Sequence, residues 1–130
     1  MLFAEQLAPG RFCIIDMSVD AMTGSSARFV RNPETHRRAL NGFFQRTACE
    51  YRRFNYLGEW HSHPSFTAQP SDIDIKTMTE IVESRSSRIT FAVLLIVRLR
   101  WRFWIDHSLT IFARDQPPRE SRVHPRIVRI

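Results

Sequence analysis

The stretch YLGEWHSHP (residues 56–64), followed by PSDID (residues 70–74), decides how this chain folds. His61 and His63 are two residues apart, so an extended strand points both imidazoles to the same side. Asp74 follows at the start of the next predicted helix, where it can complete a facial set of three ligands. Catalytic zinc sites hold the metal with three N or O ligands and leave one position open. The spacing therefore predicts a catalytic metal site where the strand gives way to the helix.

Each part of this pattern also has a purely structural explanation. Ser71 and Asp74 fit a capping-box-like helix start, with Ser71 as the N-cap and Asp74 at the third helical position. His61 and His63 could likewise belong to an ordinary turn before a proline. The two explanations are compatible, because a rigid helix start is a good platform for a carboxylate beside two imidazoles. The joint pattern of His61-x-His63, seven residues, Ser71, two residues and Asp74 is far more specific than its parts.

Composition indicates one soluble domain with a real core. The 130 residues are 43% hydrophobic and include ten Phe, enough for a single domain. The net charge of +6 favours an acidic or anionic partner. The arginines are scattered along the chain, so we do not expect nucleic-acid binding as the main function. The longest apolar run, residues 91–97, is too short to span a bilayer, and no signal peptide is evident. We expect a cytoplasmic protein without membrane contact.

The periodicity of apolar residues predicts an alternation of strands and helices. Strands are predicted at 1–5 and 11–19 around a turn at 6–10, then at 27–31, 55–63, 90–97, 101–106 and 109–113. The strand at 90–97 should be central and buried on both faces, and a tight turn should follow at 98–100. Helices are predicted from Asn32-Pro33 to about Ala48 and from Ser71 to about Ser84. Their apolar faces comprise Leu40, Phe43, Phe44 and Thr47 in the first helix, and Ile75, Met78, Ile81 and Val82 in the second.

The residues GEWHSHP (58–64) and PSDID (70–74) resemble the JAMM (JAB1/MPN/Mov34) metalloprotease motif. The closest likeness is to the prokaryotic JAB branch, which includes proteins of mobile elements and antiphage operons. The order of predicted elements also resembles that family over most of the chain. The resemblance implies an α+β fold, MPN/JAB-like with a cytidine-deaminase-like three-layer arrangement, in which two helices flank a central mixed β-sheet that is N-terminally short. Residues 1–114 would form this domain. The Pro- and Arg-rich composition of residues 115–130 predicts a tail that is irregular or ordered only by a partner.

The resemblance also implies a reaction. His61, His63 and Asp74 would bind Zn²⁺, and a water in the fourth position would be activated as the nucleophile. Ser71 would stabilise the oxyanion of the tetrahedral intermediate. The substrate would be the peptide or isopeptide bond after the C-terminal Gly of a ubiquitin-like protein or its conjugate. E1-like or E2-like proteins of the same operon would be further partners.

This sequence departs from the family's pattern at the general base, which in that family is a glutamate on an earlier strand. Because the matching strand is residues 1–4, we expect that glutamate before residue 1, which leaves Glu5 as the early candidate despite the turn predicted after it. Glu59, close to the motif histidines, is interpreted as a structural or substrate-edge residue.

The same residues leave two other functions open and exclude a third. Without the general base, the chain would be a catalytically impaired zinc-binding scaffold or interaction module. A basic nucleic-acid-binding domain would require binding that falls steeply with salt. A cytidine-deaminase-like zinc site fails, because that chemistry uses a PCxxC ligand pair and neither Cys13 nor Cys49 belongs to one.

Overall fold

The computed structural model describes residues 1–19, 33–65, 67–101 and 104–124. In these residues the chain forms six strands and two helices, which confirms the predicted α+β class. The elements are β1 (Leu2–Ala8), β2 (Arg11–Met17), α1 (Pro33–Arg46), β3 (Phe54–Ser62), α2 (Asp72–Glu83), β4 (Phe91–Arg100), β5 (Trp104–Ala113) and β6 (Arg119–Ser121). The strand predicted at 27–31 and the Asn32 cap lie outside the described residues. The chain divides into two compact units, Met1–Trp60 and His61–Ile130.

The first unit begins with an antiparallel hairpin of β1 and β2, and β1 also pairs antiparallel with β3. The hairpin turns at Pro9-Gly10, where Gly10 has a φ of 71°, a left-handed conformation that glycine adopts without strain. The turn predicted over residues 6–10 is wrong for 6–8. Gln6 pairs with Phe12 and Ala8 with Arg11, so two residues suffice to reverse the chain.

Helix α1 packs an aromatic face against β1, as the 3.6-residue periodicity predicted. Phe43 is buried, and its ring stacks on that of Phe3 with the centroids 4.6 Å apart. Leu40 and Phe44 pack against the same cluster. The helix ends at Arg46 rather than at Ala48, because Ala48 and the residue after it have positive φ angles, which a right-handed helix cannot continue.

The second unit is built on the long antiparallel pairing of β4 with β5. The central residues of β4, Ala92–Ile96, are all buried, which confirms the strand predicted to be covered on both faces. The tight turn predicted at 98–100 is wrong, because β4 continues to Arg100. Residues 104–106 of the strand predicted at 101–106 and the strand predicted at 109–113 belong to one strand, β5, since His107 and Ser108 pair with Val97 and Ile96 and so continue the ladder. Residues 102 and 103 of that prediction lie outside the described residues.

Part of the predicted tail is also ordered. Strand β6 pairs antiparallel with β5, with Arg119 opposite Ile111. Backbone hydrogen bonds supply this pairing whatever the side chains are, which is why an Arg-rich sequence gave no sign of it. The predicted irregular tail is therefore wrong for residues 119–121, and the division between domain and tail at residue 114 stays a prediction.

Helix α2 is fixed at its C-terminal end by Arg114. Met78, Ile81 and Val82 are buried as predicted, but Ile75 is 37% exposed and does not belong to the buried stripe. The guanidinium of Arg114 donates to the carbonyls of Val82, Ser84 and Ile89, at 2.9, 3.3 and 3.2 Å. These bonds supply the positive charge that the last turn of α2 lacks. None of the helices in the described ranges is long and apolar enough to cross a membrane.

Candidate metal centre

The two motif histidines lie where β3 ends. His61 is the next-to-last residue of β3, and the backbone N–H of His63 donates to the carbonyl of Val97 at 2.9 Å. Pro64 has no N–H with which to extend such bonding. The strand therefore ends at Ser62, and the hydrogen bond to Val97 fixes the backbone of His63 directly after it.

Asp74 is positioned by the start of α2, where the predicted capping box is present. The side chain of Ser71 accepts from the backbone N–H of Asp74 at 3.3 Å. In return, the Ser71 backbone N–H and hydroxyl both donate to Oδ2 of Asp74, at 2.8 and 2.7 Å. Two hydrogen bonds from Ser71 thus fix the carboxylate through Oδ2, and the third fixes the backbone of Asp74.

The ligand atoms of His61, His63 and Asp74 converge, with all three within 4.8 Å of one another. The two Nε2 atoms are 3.0 Å apart, Nε2 of His61 is 3.3 Å from Oδ1 of Asp74, and Nε2 of His63 is 3.7 Å from Oδ2. In a tetrahedral site with metal–ligand bonds of about 2.0–2.1 Å, the ligand atoms lie about 3.3 Å apart. The separations of 3.0 Å between the two Nε2 atoms and 3.3 Å between His61 Nε2 and Asp74 Oδ1 are close to that value, so the group could hold a metal ion.

The ring of His63 is oriented by the loop that follows β3. Its Nδ1 lies 3.0 Å from the backbone carbonyl of Thr67. A carbonyl can only accept, so Nδ1 carries the proton and Nε2 keeps its lone pair for a metal. Sequence reasoning missed this contact, because a backbone carbonyl leaves no signal in residue type.

The electrostatics of the centre keep Asp74 ionised. Burial on its own would raise the pKa of Asp74, but hydrogen bonds with His61 and Ser71 outweigh it and lower the pKa to about 2. Metal ligands must be deprotonated, so this carboxylate is ready to bind at neutral pH. The side chains of His61 and His63 remain 19% and 16% exposed, which leaves the centre accessible from solvent.

The two glutamates considered from the sequence have other partners. Glu5 lies in β1, where the side chain of Arg53 contacts its Oε1 through Nε at 2.8 Å and through a terminal nitrogen at 2.6 Å. Glu59 lies in β3, is only 1% exposed, and accepts a hydrogen bond from the Tyr56 hydroxyl at 2.8 Å. The buried bond to Tyr56 supports the structural interpretation of Glu59.

The sequence model of a family described as prokaryotic homologs of the JAB domain matches residues 6–106. The match spans most of the chain and contains all four residues of the candidate centre, His61, His63, Ser71 and Asp74. Glu5 lies one residue before the matched range. No curated protein matches the chain.

Proposed function

This chain belongs to the family of prokaryotic homologs of the JAB domain, and from that membership and the geometry of the centre we propose that it is a zinc-dependent peptidase or isopeptidase. The proposed substrate is the bond after the C-terminal Gly of a ubiquitin-like protein. The observation that carries the proposal is the convergence of His61, His63 and Asp74 at the spacing of a tetrahedral site. An accessible centre with three N/O ligands is the arrangement of catalytic zinc.

A zinc ion held there would polarise the scissile carbonyl and supply a nucleophilic water near neutral pH. The residues of the chain then have separate tasks. His61 and His63 each offer Nε2, and Asp74 offers Oδ1 while its Oδ2 is held by Ser71. The negative charge of Asp74 and the two neutral imidazoles leave a bound dication with net positive charge, which favours the development of an oxyanion.

Ser71 is the proposed oxyanion donor. Its hydroxyl proton points to Asp74 Oδ2 at 2.7 Å, so it must turn towards a substrate carbonyl to act. The backbone N–H of Ser71 also donates to that oxygen, at 2.8 Å, so the carboxylate stays oriented when the hydroxyl leaves. Ser71 is exposed, and a substrate can reach it. These features support the role that the family resemblance implies.

Metal analysis with matched variants tests the centre. Zinc-loaded wild-type protein should contain about one zinc per chain, and His61→Ala or Asp74→Ala should contain almost none. Asp72→Ala and His107→Ala are the controls, because they remove the same side chains from exposed positions of α2 and β5. Equal zinc content in Asp72→Ala and Asp74→Ala, or a metal-free wild type, would refute the ligand assignment.

A cleavage assay tests the reaction. A ubiquitin fused through its C-terminal Gly to a fluorescent reporter is the probe, and cleavage should require zinc and all three ligands. Because no glutamate has been assigned as the base, we propose weak cleavage by this chain. Robust cleavage that Glu5→Gln abolishes would show instead that Glu5 is the base and that Arg53 releases it.

A second candidate function is a zinc-binding scaffold without catalysis. The observation that favours it is the double contact of Arg53 with the Glu5 carboxylate, which engages the early candidate base in an ion pair. Such a protein would bind one zinc and the ubiquitin-like probe but would leave the probe intact. Full occupancy by zinc without turnover would favour the scaffold over the peptidase.

The cellular setting is a proposal too, and it rests on the family resemblance and the composition. We place the protein in the cytoplasm of a bacterium, with E1-like or E2-like proteins of the same operon as partners and a role in antiphage defence. Its substrates would include conjugates of the ubiquitin-like protein. Co-purification of the operon's proteins with tagged chain is the direct test.

A further inference from the structure

The β4–β5 ladder exposes large apolar side chains at the end where Arg100 pairs with Trp104. Here the tryptophan arm means residues 98–101 and 104–106. Leu99 and Ile105 are each 65% exposed, Trp104 is 73% exposed and Trp101 83%. Single exposed apolar residues are ordinary, but four large ones at one end of a hairpin form a patch of the kind that marks an interaction site.

The arm is bare on both faces. Leu99 pairs with Ile105, and Arg100 pairs with Trp104. Paired residues share a face of a two-stranded ladder and successive residues alternate between faces, so one face carries Leu99 and Ile105 and the other carries Trp104. A two-stranded hairpin is only marginally stable on its own in water, and these side chains are little covered by the chain itself. A partner that contacts the arm from both sides would cover both faces.

The arm begins beside the candidate metal centre. The carbonyl of Val97 accepts from the backbone N–H of His63, and the arm starts at the next residue, Arg98. At about 3.3 Å per residue, Arg100 at the end of β4 lies roughly 10 Å along the strand from Val97. A folded domain of about 100 residues has a radius of gyration near 13 Å. A protein of that size with its C-terminal tail at the metal centre is therefore large enough to reach the arm.

The charge of the arm specifies the chemistry of its partner. Arg98 and Arg100 carry positive charge, and Asp106 is the acidic residue of the arm, 3.8 Å from Arg100. The chain as a whole is also basic, with a net charge of +6. A complementary surface is an apolar patch with acidic residues around it.

We propose that the tryptophan arm binds the folded body of the protein substrate through such a patch, while the metal centre takes the substrate's tail. The proposal rests on the proposed function, because it assigns the arm to the same substrate. Trp101 and Trp104 are its main contact residues, since buried tryptophans contribute much of the free energy of binding at protein interfaces.

The test compares a folded substrate with its isolated tail. The probes are the ubiquitin–reporter fusion and a peptide of the last six ubiquitin residues with the same reporter. The double variant Trp101→Ala/Trp104→Ala should raise KM for the fusion about tenfold or more, with cleavage of the peptide and zinc content unchanged. Tyr51→Ala, which removes an exposed aromatic ring from the first unit, is the control and should behave as wild type.

An unchanged KM for the fusion would overturn the proposal. An equal loss on fusion and peptide would also overturn it, since the arm would then act on the centre and not on the substrate's body. Loss of duplex-DNA binding in the double variant, without loss of ubiquitin binding, would assign the arm to nucleic acid instead.

Direct binding of labelled ubiquitin, measured by anisotropy, separates this proposal from the proposed function. Binding that the double variant loses, without cleavage by wild type, would refute the peptidase and retain the arm. Cleavage by wild type with equal binding by both proteins would refute the arm alone. Neither binding nor cleavage by wild type would refute both.

Discussion

The two helices are alike in length and amphipathic pattern, but they bury different chemistry. Helix α1 presents Phe43 to an aromatic cluster around Phe3. The buried residues of α2 begin with a carboxylate, Asp74, and only then continue with apolar side chains. The buried face of α1 is explained by hydrophobic burial alone, whereas that of α2 requires a second explanation.

That explanation lies in what a buried carboxylate needs. Removing a charged group from water is unfavourable unless hydrogen bonds or ion pairs compensate it. Ser71 supplies two donors to Asp74, and His61 lies 3.3 Å from its other oxygen. A position that breaks the apolar pattern and is fully provided with partners is a good candidate for function. The comparison predicts that changes in α1 act on stability and changes at the start of α2 act on metal binding and catalysis.

The largest expected effect is on stability, in α1. Phe43→Ala should lower the free energy of unfolding by about 3–5 kcal/mol, because it leaves a cavity beside Phe3. Zinc bound per folded chain should not change. Denaturant unfolding followed by circular dichroism measures the first quantity and metal analysis the second. A folded Phe43→Ala variant that no longer binds zinc would contradict the claim that changes in α1 act on stability alone.

Ser71→Ala should show the opposite pattern at the start of α2. Loss of one oxyanion donor lowers turnover by about 10²–10³, or roughly 3–4 kcal/mol. Loss of the cap should lower the free energy of unfolding by only about 1 kcal/mol. The backbone N–H of Ser71 still holds Asp74, so zinc should stay bound. Ser71→Thr, which keeps the hydroxyl, is the control, and zinc loss in Ser71→Ala would contradict the separate roles assigned to the two Ser71 donors.

The pH dependence of the free energy of unfolding, measured in metal-free protein, should further distinguish the start of α2 from α1. The pKa of Asp74 is about 2 in the folded chain, below its ordinary value of 3.8. The ionised carboxylate therefore stabilises the fold above pH 4, and that contribution, at most about 2.5 kcal/mol, is lost as the pH falls towards 2. Asp74→Asn should remove this part of the pH dependence, as measured by urea unfolding between pH 5 and 2. If Asp74→Asn and wild-type protein showed the same pH dependence of unfolding, the stabilisation by the hydrogen bonds of Asp74 would not depend on its charge.

The smallest expected effect is at the other end of α2. Arg114→Met keeps much of the side-chain volume but removes the hydrogen bonds to the carbonyls of Val82 and Ser84 at the end of the helix, and the one to the carbonyl of Ile89 before β4. We expect a loss of about 1–2 kcal/mol in the free energy of unfolding, since Arg114 is half-buried and water can replace part of the bonding. Zinc affinity should not change. Arg119→Met is the matched control from an exposed position. An equal loss of stability in both variants would contradict the claim that Arg114 stabilises the end of α2.

The centre could be predicted from sequence because it is encoded locally. The period of two in a strand puts His61 and His63 on one side, and the capping box fixes Asp74 within four residues of Ser71. The buried strand β4 and the aromatic face of α1 were predictable for the same reason, since periodicity signals burial.

Features set by pairing between distant residues were not predictable. Residues 98–100 were predicted to turn, but their partners in β5 extend the ladder to Arg100. Strand β6 and the Arg114 cap join segments that no local pattern connects.

X-ray absorption at the zinc edge tests the central claim, that His61, His63 and Asp74 bind one metal ion, most directly. Zinc-loaded wild-type protein should show only N and O neighbours at about 2.0–2.2 Å, with multiple scattering from two imidazoles, and His61→Ala should lose one imidazole or the metal. A sulfur shell near 2.3 Å, which would implicate a cysteine, or a spectrum unchanged in His61→Ala would contradict it.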